Sequence, residues 1–182
     1  AREMPRQRPT NGLHAQEMIK STANKPMEPA RGGRAWVTGA RGLIGHQLAL
    51  RAPTDAPEWE VIELTRETLE LTDRRAVEAC FRQAPPDLII HCAAASRSPW
   101  CDANPEAAYE INVEVTRHLA TLSTAIPFVF LSSDLVFDGT QGTYREGDPV
   151  NPLNVYGRTK AEAERAVLSN PRHTVVRTSL NA

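Results

Sequence analysis

Tyr156 and Lys160 stand four residues apart in NVYGRTK, a spacing that stacks them on one face of a helix, one turn apart. A phenol titrates near pH 10, too high for proton transfer at neutrality, and a neighbouring ammonium stabilises the phenolate. The pair reads as an acid/base whose pKa Lys160 lowers. Upstream, PFVFLSS (127–133) ends on Ser132 and Ser133. A hydroxyl at a strand end, Ser133 or Ser132, could hold a carbonyl oxygen against that phenol, because ligands of open parallel sheets sit at the carboxyl ends of the strands.

Near the start lies VTGARGLIG, with Gly39, Gly42 and Gly45 in a GxxGxxG spacing. RAWVT (34–38) before it suits a buried strand, and LIGHQLAL after it has helical periodicity. Strand, glycine turn and helix together aim a helix N-terminus at a pyrophosphate. Glycine turn, strand-end serine and Tyr/Lys pair, in that order, describe a centre that moves a hydride between a nicotinamide and a carbonyl or alcohol.

Charge argues for the phosphorylated dinucleotide. An acid ending the second strand would bind the ribose hydroxyls of NAD, whereas arginine favours the 2′-phosphate of NADP. Arg41 sits in the glycine turn and Arg66 follows the second strand, so NADP (as NADPH) is expected, with NAD as the alternative. Glu63 is the opposing acid, but strand alternation can point it elsewhere.

The elements needed to position these groups are legible. WEVIEL (59–64) reads as a second strand. Thr72 and Asp73 can cap a helix running to about Gln83, stopped by Pro85-Pro86. DLIIHCAAA (87–95) is a near-continuous apolar run, as in a strand covered on both faces. Pro105 to about Ser123 forms a long amphipathic helix, and a Gly-, Asp- and Pro-rich loop runs from Asp134 to Asn154. Tyr156 to Leu168 is helical, and HTVVRTS (173–179) is a further strand. Alternating strands and helices predict an α/β fold with a Rossmann-like, doubly wound parallel sheet.

A chain of 182 residues fits one domain, and a net charge of −1 gives no electrostatic case for nucleic acid or a membrane surface. No apolar run approaches the length of a membrane span, and no secretory signal is evident at the start. Three cysteines without metal-ligand spacing predict a reduced, cytoplasmic setting and no metal site. Cys92 reads as a small core residue, and His91 as a core-edge histidine or a contact behind the cofactor. His46 and His118 lie on helices and are expected to be structural or exposed. Residues 1–33 hold four prolines and six Lys or Arg against three Asp or Glu, which predicts a flexible N-terminal tail with a short helix around Leu13–Ser21. A partner-binding arm or an organelle-targeting segment is the functional alternative for this stretch.

Over residues 34–180 the chain resembles an extended short-chain dehydrogenase/reductase of the dTDP-4-dehydrorhamnose reductase group, which also includes the regulatory β subunit of methionine adenosyltransferase. The motifs that carry the resemblance are TGARGLIG, ELTRETLELTD, PDLIIHCAAAS, NPEAAYEINV, LSSDLVFDGT and YREGDPVNPLNVYGRTKAEAERAV. The resemblance implies Ser133, Tyr156 and Lys160 as catalytic residues. It implies cofactor contact at Gly39, Arg41, Gly42, Leu43, Ile44 and Gly45, at Arg66, Glu70 and Leu71, at Ala93, Ala94 and Ala95, and at Asn112, Tyr156 and Lys160. The expected substrate is a nucleotide-linked 4-keto sugar, and the expected assembly is with a second copy or a partner enzyme. Glu70 stands where the group usually has Asp, and Leu135 where an aromatic is common. Residues 34–182 are expected to hold the NAD(P)-binding domain, with the C-terminal substrate-binding part largely absent. A regulatory subunit on the same scaffold is the alternative function. A nucleotide-sugar epimerase or dehydratase is a third, against which the SSD–VFDG segment argues.

Overall fold

The structure, a computed structural model, describes residues 32–179. The expected tail helix around Leu13–Ser21, like most of the expected tail, lies outside the described residues.

Five strands form one fully parallel sheet: β1 (Arg34–Thr38), β2 (Glu60–Leu64), β3 (Leu88–His91), β4 (Phe128–Ser133) and β5 (His173–Thr178). Their spatial order is β2-β1-β3-β4-β5. The chain steps outward from β1 to β2, then crosses back to β3. A right-handed crossover puts helices on opposite faces for opposite directions of travel. Helix α1 (Leu43–Asp55) accordingly lies on one face, beside β1 and β2, with an open apolar groove of about 490 Å³ between it and Ala35, Val37, Val61, Leu88 and Ile90. The other face carries α2 (Arg74–Gln83), α5 (Val115–Leu122) and α6 (Val155–Leu168). There Val77, Cys80, Leu119 and Val167 close over Trp36, Ile89, Phe128 and Phe130. The sheet is doubly wound, as its alternating pattern predicts.

Local sequence sets the helix starts. The Asp73 carboxylate accepts from the Ala76 amide and Asn154 Oδ1 from the Gly157 amide, each filling an otherwise orphaned donor. Two short helices, α3 (Ser98–Ala103) and α4 (Pro105–Tyr109), each begin at a proline within the first turn. The stretch from Pro105 to Leu122 is helical throughout, but it is not one regular helix. A π turn at Glu110–Glu114 separates α4 from α5. Asn112 lies within that turn and is fully buried.

All strand carboxyl ends lie along one edge, because every pairing is parallel. The connections leaving β1 and β3 depart in opposite directions, and this leaves a crevice between those two strand ends. Among the described residues no helix is long and apolar enough to cross a membrane, and no three His, Cys, Asp or Glu side chains gather as a metal would require.

Candidate active site

A single cleft of about 1260 Å³ opens at that crevice. Its wall begins at the glycine turn. Gly39 has φ of +65°, and a Cβ there would stand 2.7 Å from the Ala93 amide nitrogen. Only glycine meets both demands, so β1 can turn directly beside the segment that follows β3. Gly42 caps α1, with no side-chain group satisfying the helix start. The first-turn amides, including those of Leu43 and Ile44, therefore remain open toward the cleft for an anion. A Cβ at Gly45 would meet the Gly39 carbonyl at 2.4 Å, so the turn is also closely packed from behind. This cradle, its open amides and the cleft volume fit a dinucleotide pyrophosphate.

Arg41, Arg66, Glu67, Glu70 and Leu71 line the outer part of the same cleft. Arg41 Nη1 is paired with Glu67 Oε1 at 2.6 Å. Glu70 Oε1 accepts from the Thr72 amide and hydroxyl at 3.1 and 2.9 Å. Glu63 is exposed and points away from the cleft, so Glu67 is the acid facing the two arginines. The Thr65 hydroxyl, the Glu67 amide and Arg41 hold the Glu67 carboxyl below its ordinary value.

Ala93, Ala94 and Ala95 form the floor. Asn112, expected as a cofactor contact, instead sits beneath that floor as a clamp. Its side-chain oxygen accepts from the Ala95 amide at 2.8 Å. Its amide donates to the Ala95 carbonyl at 3.1 Å and to Thr159 Oγ1 at 3.0 Å. Thr159 in turn donates to the Tyr156 carbonyl at 2.8 Å. Asn112 thus ties the floor to the helix that carries Tyr156. Its burial and these three bonds leave its side chain off the cleft wall.

His91 is wholly buried between Thr38 Oγ1 at 2.7 Å and Thr116 Oγ1 at 3.0 Å. Thr116 already donates to the Asn112 carbonyl, so it accepts from His91 Nε2–H, and Nδ1 accepts from Thr38. Burial, helped by nearby Lys160, pushes the imidazole down to about 3. It is a neutral core histidine joining β1 to the clamp.

Ser132, Ser133, Tyr156 and Lys160 all reach the cleft wall. Ser133 Oγ donates to Asp134 Oδ1 at 3.1 Å and accepts from the Leu135 amide at 3.2 Å. Ser132 Oγ is buried without a partner. Helix α6 approaches this strand end through Gly157, where a Cβ would fall 2.2 Å from the Leu135 carbonyl. The loop behind is pinned by Asp138, which accepts from Tyr144 Oη at 2.6 Å, from the Thr140 amide and hydroxyl, and from Asn151 Nδ2.

The Tyr156–Lys160 pair departs from the expected arrangement. Burial raises the Tyr156 phenol above its ordinary value, and the nearby Ser133 hydroxyl offsets this only in part. Lys160 does not lower it. Its Nζ donates to the Leu131 carbonyl at 2.6 Å and lies 3.9 Å from the centre of the Phe130 ring. Loss of water drops the ammonium from 10.5 to about 7, with Glu164 and Cys92 acting the other way. The helix spacing put both residues on one face, but the lysine found a carbonyl on β4 before it found the phenol.

Residues 34–180 match the family described as the RmlD substrate binding domain. The chain is 40% identical over 148 residues to methionine adenosyltransferase 2 subunit beta of Xenopus tropicalis, covering 76% of this chain and 44% of that one. It is 39% identical over 150 residues to the dTDP-4-dehydrorhamnose reductase of Sinorhizobium fredii, covering 80% and 50%. Among solved structures it is similar to the dTDP-4-dehydrorhamnose reductase of Bacillus anthracis in complex with NADP. That match has a TM-score of 0.77 at 29% identity and covers 84% of this chain and 55% of that one. The chain spans about half the length of these relatives.

Proposed function

Because the chain belongs to the RmlD substrate binding domain family, we propose that it binds NADPH in the cleft and serves a reductase of nucleotide-linked 4-keto sugars. One observation carries this reading. Glycine cradle, arginine corner, alanine floor and the Ser133–Tyr156–Lys160 group all line one cavity at the strand carboxyl ends. The open amides of α1 would hold the pyrophosphate, Arg41 and Arg66 the 2′-phosphate, and Ala93–Ala95 the face of the nicotinamide half. Bound NADPH supplies a hydride. The protein supplies the proton. Tyr156 gives its phenolic proton to the carbonyl oxygen, and the Ser133 hydroxyl holds that oxygen in place. A buried phenol with a raised pKa is protonated at neutrality, as a proton donor must be. To help the phenol lose that proton, Lys160 has to release the Leu131 carbonyl. It gives that help as the charged ammonium, so with a pKa of about 7 the help weakens as the pH rises above neutrality. The unpaired cysteines fit a reducing, cytoplasmic setting.

The test is NADPH oxidation with dTDP-4-dehydrorhamnose. Tyr156→Phe should cut turnover by about a hundred- to ten-thousand-fold while sparing NADPH affinity. Unchanged turnover in Tyr156→Phe would remove the phenol from the reaction.

The likeness to methionine adenosyltransferase 2 subunit beta favours a second reading, a regulatory subunit that keeps the dinucleotide cleft. It predicts no keto-sugar reduction, and binding to a purified methionine adenosyltransferase that Tyr156→Phe leaves unaffected.

A further inference from the structure

We infer that Glu67 sets the choice between the two dinucleotides, by holding the Arg41 guanidinium in an ion pair that a ribose 2′-phosphate must displace. The inference rests on the dinucleotide reading of the cleft and adds the residue that tunes it.

Three observations support it. The Arg41–Glu67 pair crosses the outer cleft at 2.6 Å, and both side chains stay well exposed, at 72% and 60%. Neither is locked by packing, so the pair can open. Arg66 on the same wall pairs with no acid among the described residues. The corner therefore holds one free guanidinium and one held in reserve. Of the other acids nearby, Glu63 points away and Glu70 is engaged with Thr72. Glu67 alone faces Arg41.

The two cofactors meet this corner differently. A ribose 2′-hydroxyl can donate to an acid placed after the second strand. A 2′-phosphate cannot, and its charge is repelled by the same carboxylate. It gains Arg41 only by taking it from Glu67. Glu67 thus favours NADH and handicaps NADPH without abolishing either. The pair is exposed, so the effect is modest: removing one carboxylate charge beside a 2′-phosphate in water shifts affinity roughly three- to tenfold.

The experiment is calorimetric titration of the 182-residue chain and its E67Q variant with NADPH and with NADH at low salt. The expected result is a rise of roughly three- to tenfold in the preference for NADPH, with the gain shrinking as salt is added. Glu67→Ala should move the ratio the same way, so one poorly behaved variant does not decide the matter. An unchanged or reduced NADPH preference in both variants overturns the role given to Glu67, as does an equal gain for both cofactors. If the wild type binds neither dinucleotide, the reading of the cleft falls and this inference with it. If the wild type binds both and the variants leave the ratio alone, only this inference falls.

Discussion

Lys160→Met should change how stability depends on pH, and the size of the change follows from the burial of one ammonium. Lys160 is 2% exposed, and its folded pKa is about 7 against an ordinary 10.5. The unfolded chain therefore binds more protons than the folded one between pH 7 and 10.5. Stability should rise with pH through that window, by about 1.4 kcal/mol per pH unit. Below pH 7 the full penalty of carrying the charge inside, roughly 4–5 kcal/mol, is in force. Methionine keeps the length of the side chain and removes the charge. It also leaves the Leu131 carbonyl without its donor, at about 1–3 kcal/mol. The variant should be more stable than wild type at pH 6 by roughly 1–4 kcal/mol. That advantage should fade by about 2 kcal/mol between pH 7 and 8.5. Burial raises the Cys80 and Cys92 thiols to about 11, which gives a slope of opposite sign at higher pH. The Cys80 part is common to both proteins, and the Cys92 part, which Lys160 influences, lies at higher pH than the window that reads the lysine. Urea denaturation at half-unit steps from pH 6 to 8.5 reads it directly. Parallel curves for the two proteins would refute the buried, charge-strained lysine.

Asn112→Ala strips three hydrogen bonds from beneath the floor, leaves the Ala95 amide unpaired and leaves the Ala95 carbonyl only the Cys101 thiol. It should destabilise the fold by about 2–4 kcal/mol in denaturant titrations and weaken NADPH binding. Stability equal to wild type would remove the clamp. Arg66→Ala should narrow the NADPH-over-NADH preference by about 1 kcal/mol, since the side chain is exposed. A fluorescence titration with both cofactors checks it, and an unchanged ratio assigns the 2′-phosphate to Arg41 alone.

Much of the fold was legible because its signals are local. RAWVT and DLIIH are apolar runs of strand length, and Asp73 announces its helix. The glycine turn declares itself because Gly39 needs a positive φ and Gly45 has no room for a side chain. Other features were hidden for physical reasons. A π turn leaves no local signature in the sequence, so Glu110–Glu114 looked like plain α-helix, and the cofactor contact expected at Asn112 came from the family resemblance and not from the helix pattern. Helix α3 is six residues long, too short for periodicity, although Ser98-Pro99 was a usable start signal. The Lys160 ammonium is directed by a carbonyl 29 residues away, and Glu67 by an arginine 26 residues away. Helical spacing says which face a side chain leaves from. It does not say which of two partners arrives first. Gly157 was in plain view within YGRTK, and its meaning needed the Leu135 carbonyl opposite.

Dinucleotide binding depends on the cradle at the start of α1, and titration of Gly42→Val with NADPH probes that cradle. A Cβ at Gly42 would touch only the Gly39 carbonyl, at 3.2 Å, and the backbone there is extended, with φ of −75°. The fold should accept the change with a small shift in melting temperature. The valine methyls would stand over the open amides and hold a pyrophosphate away from them. The wild type should bind NADPH saturably, and a Gly42→Val protein with an unaltered circular dichroism spectrum should lose at least roughly tenfold in affinity. A folded Gly42→Val that binds NADPH as tightly as wild type would contradict this role for the cradle.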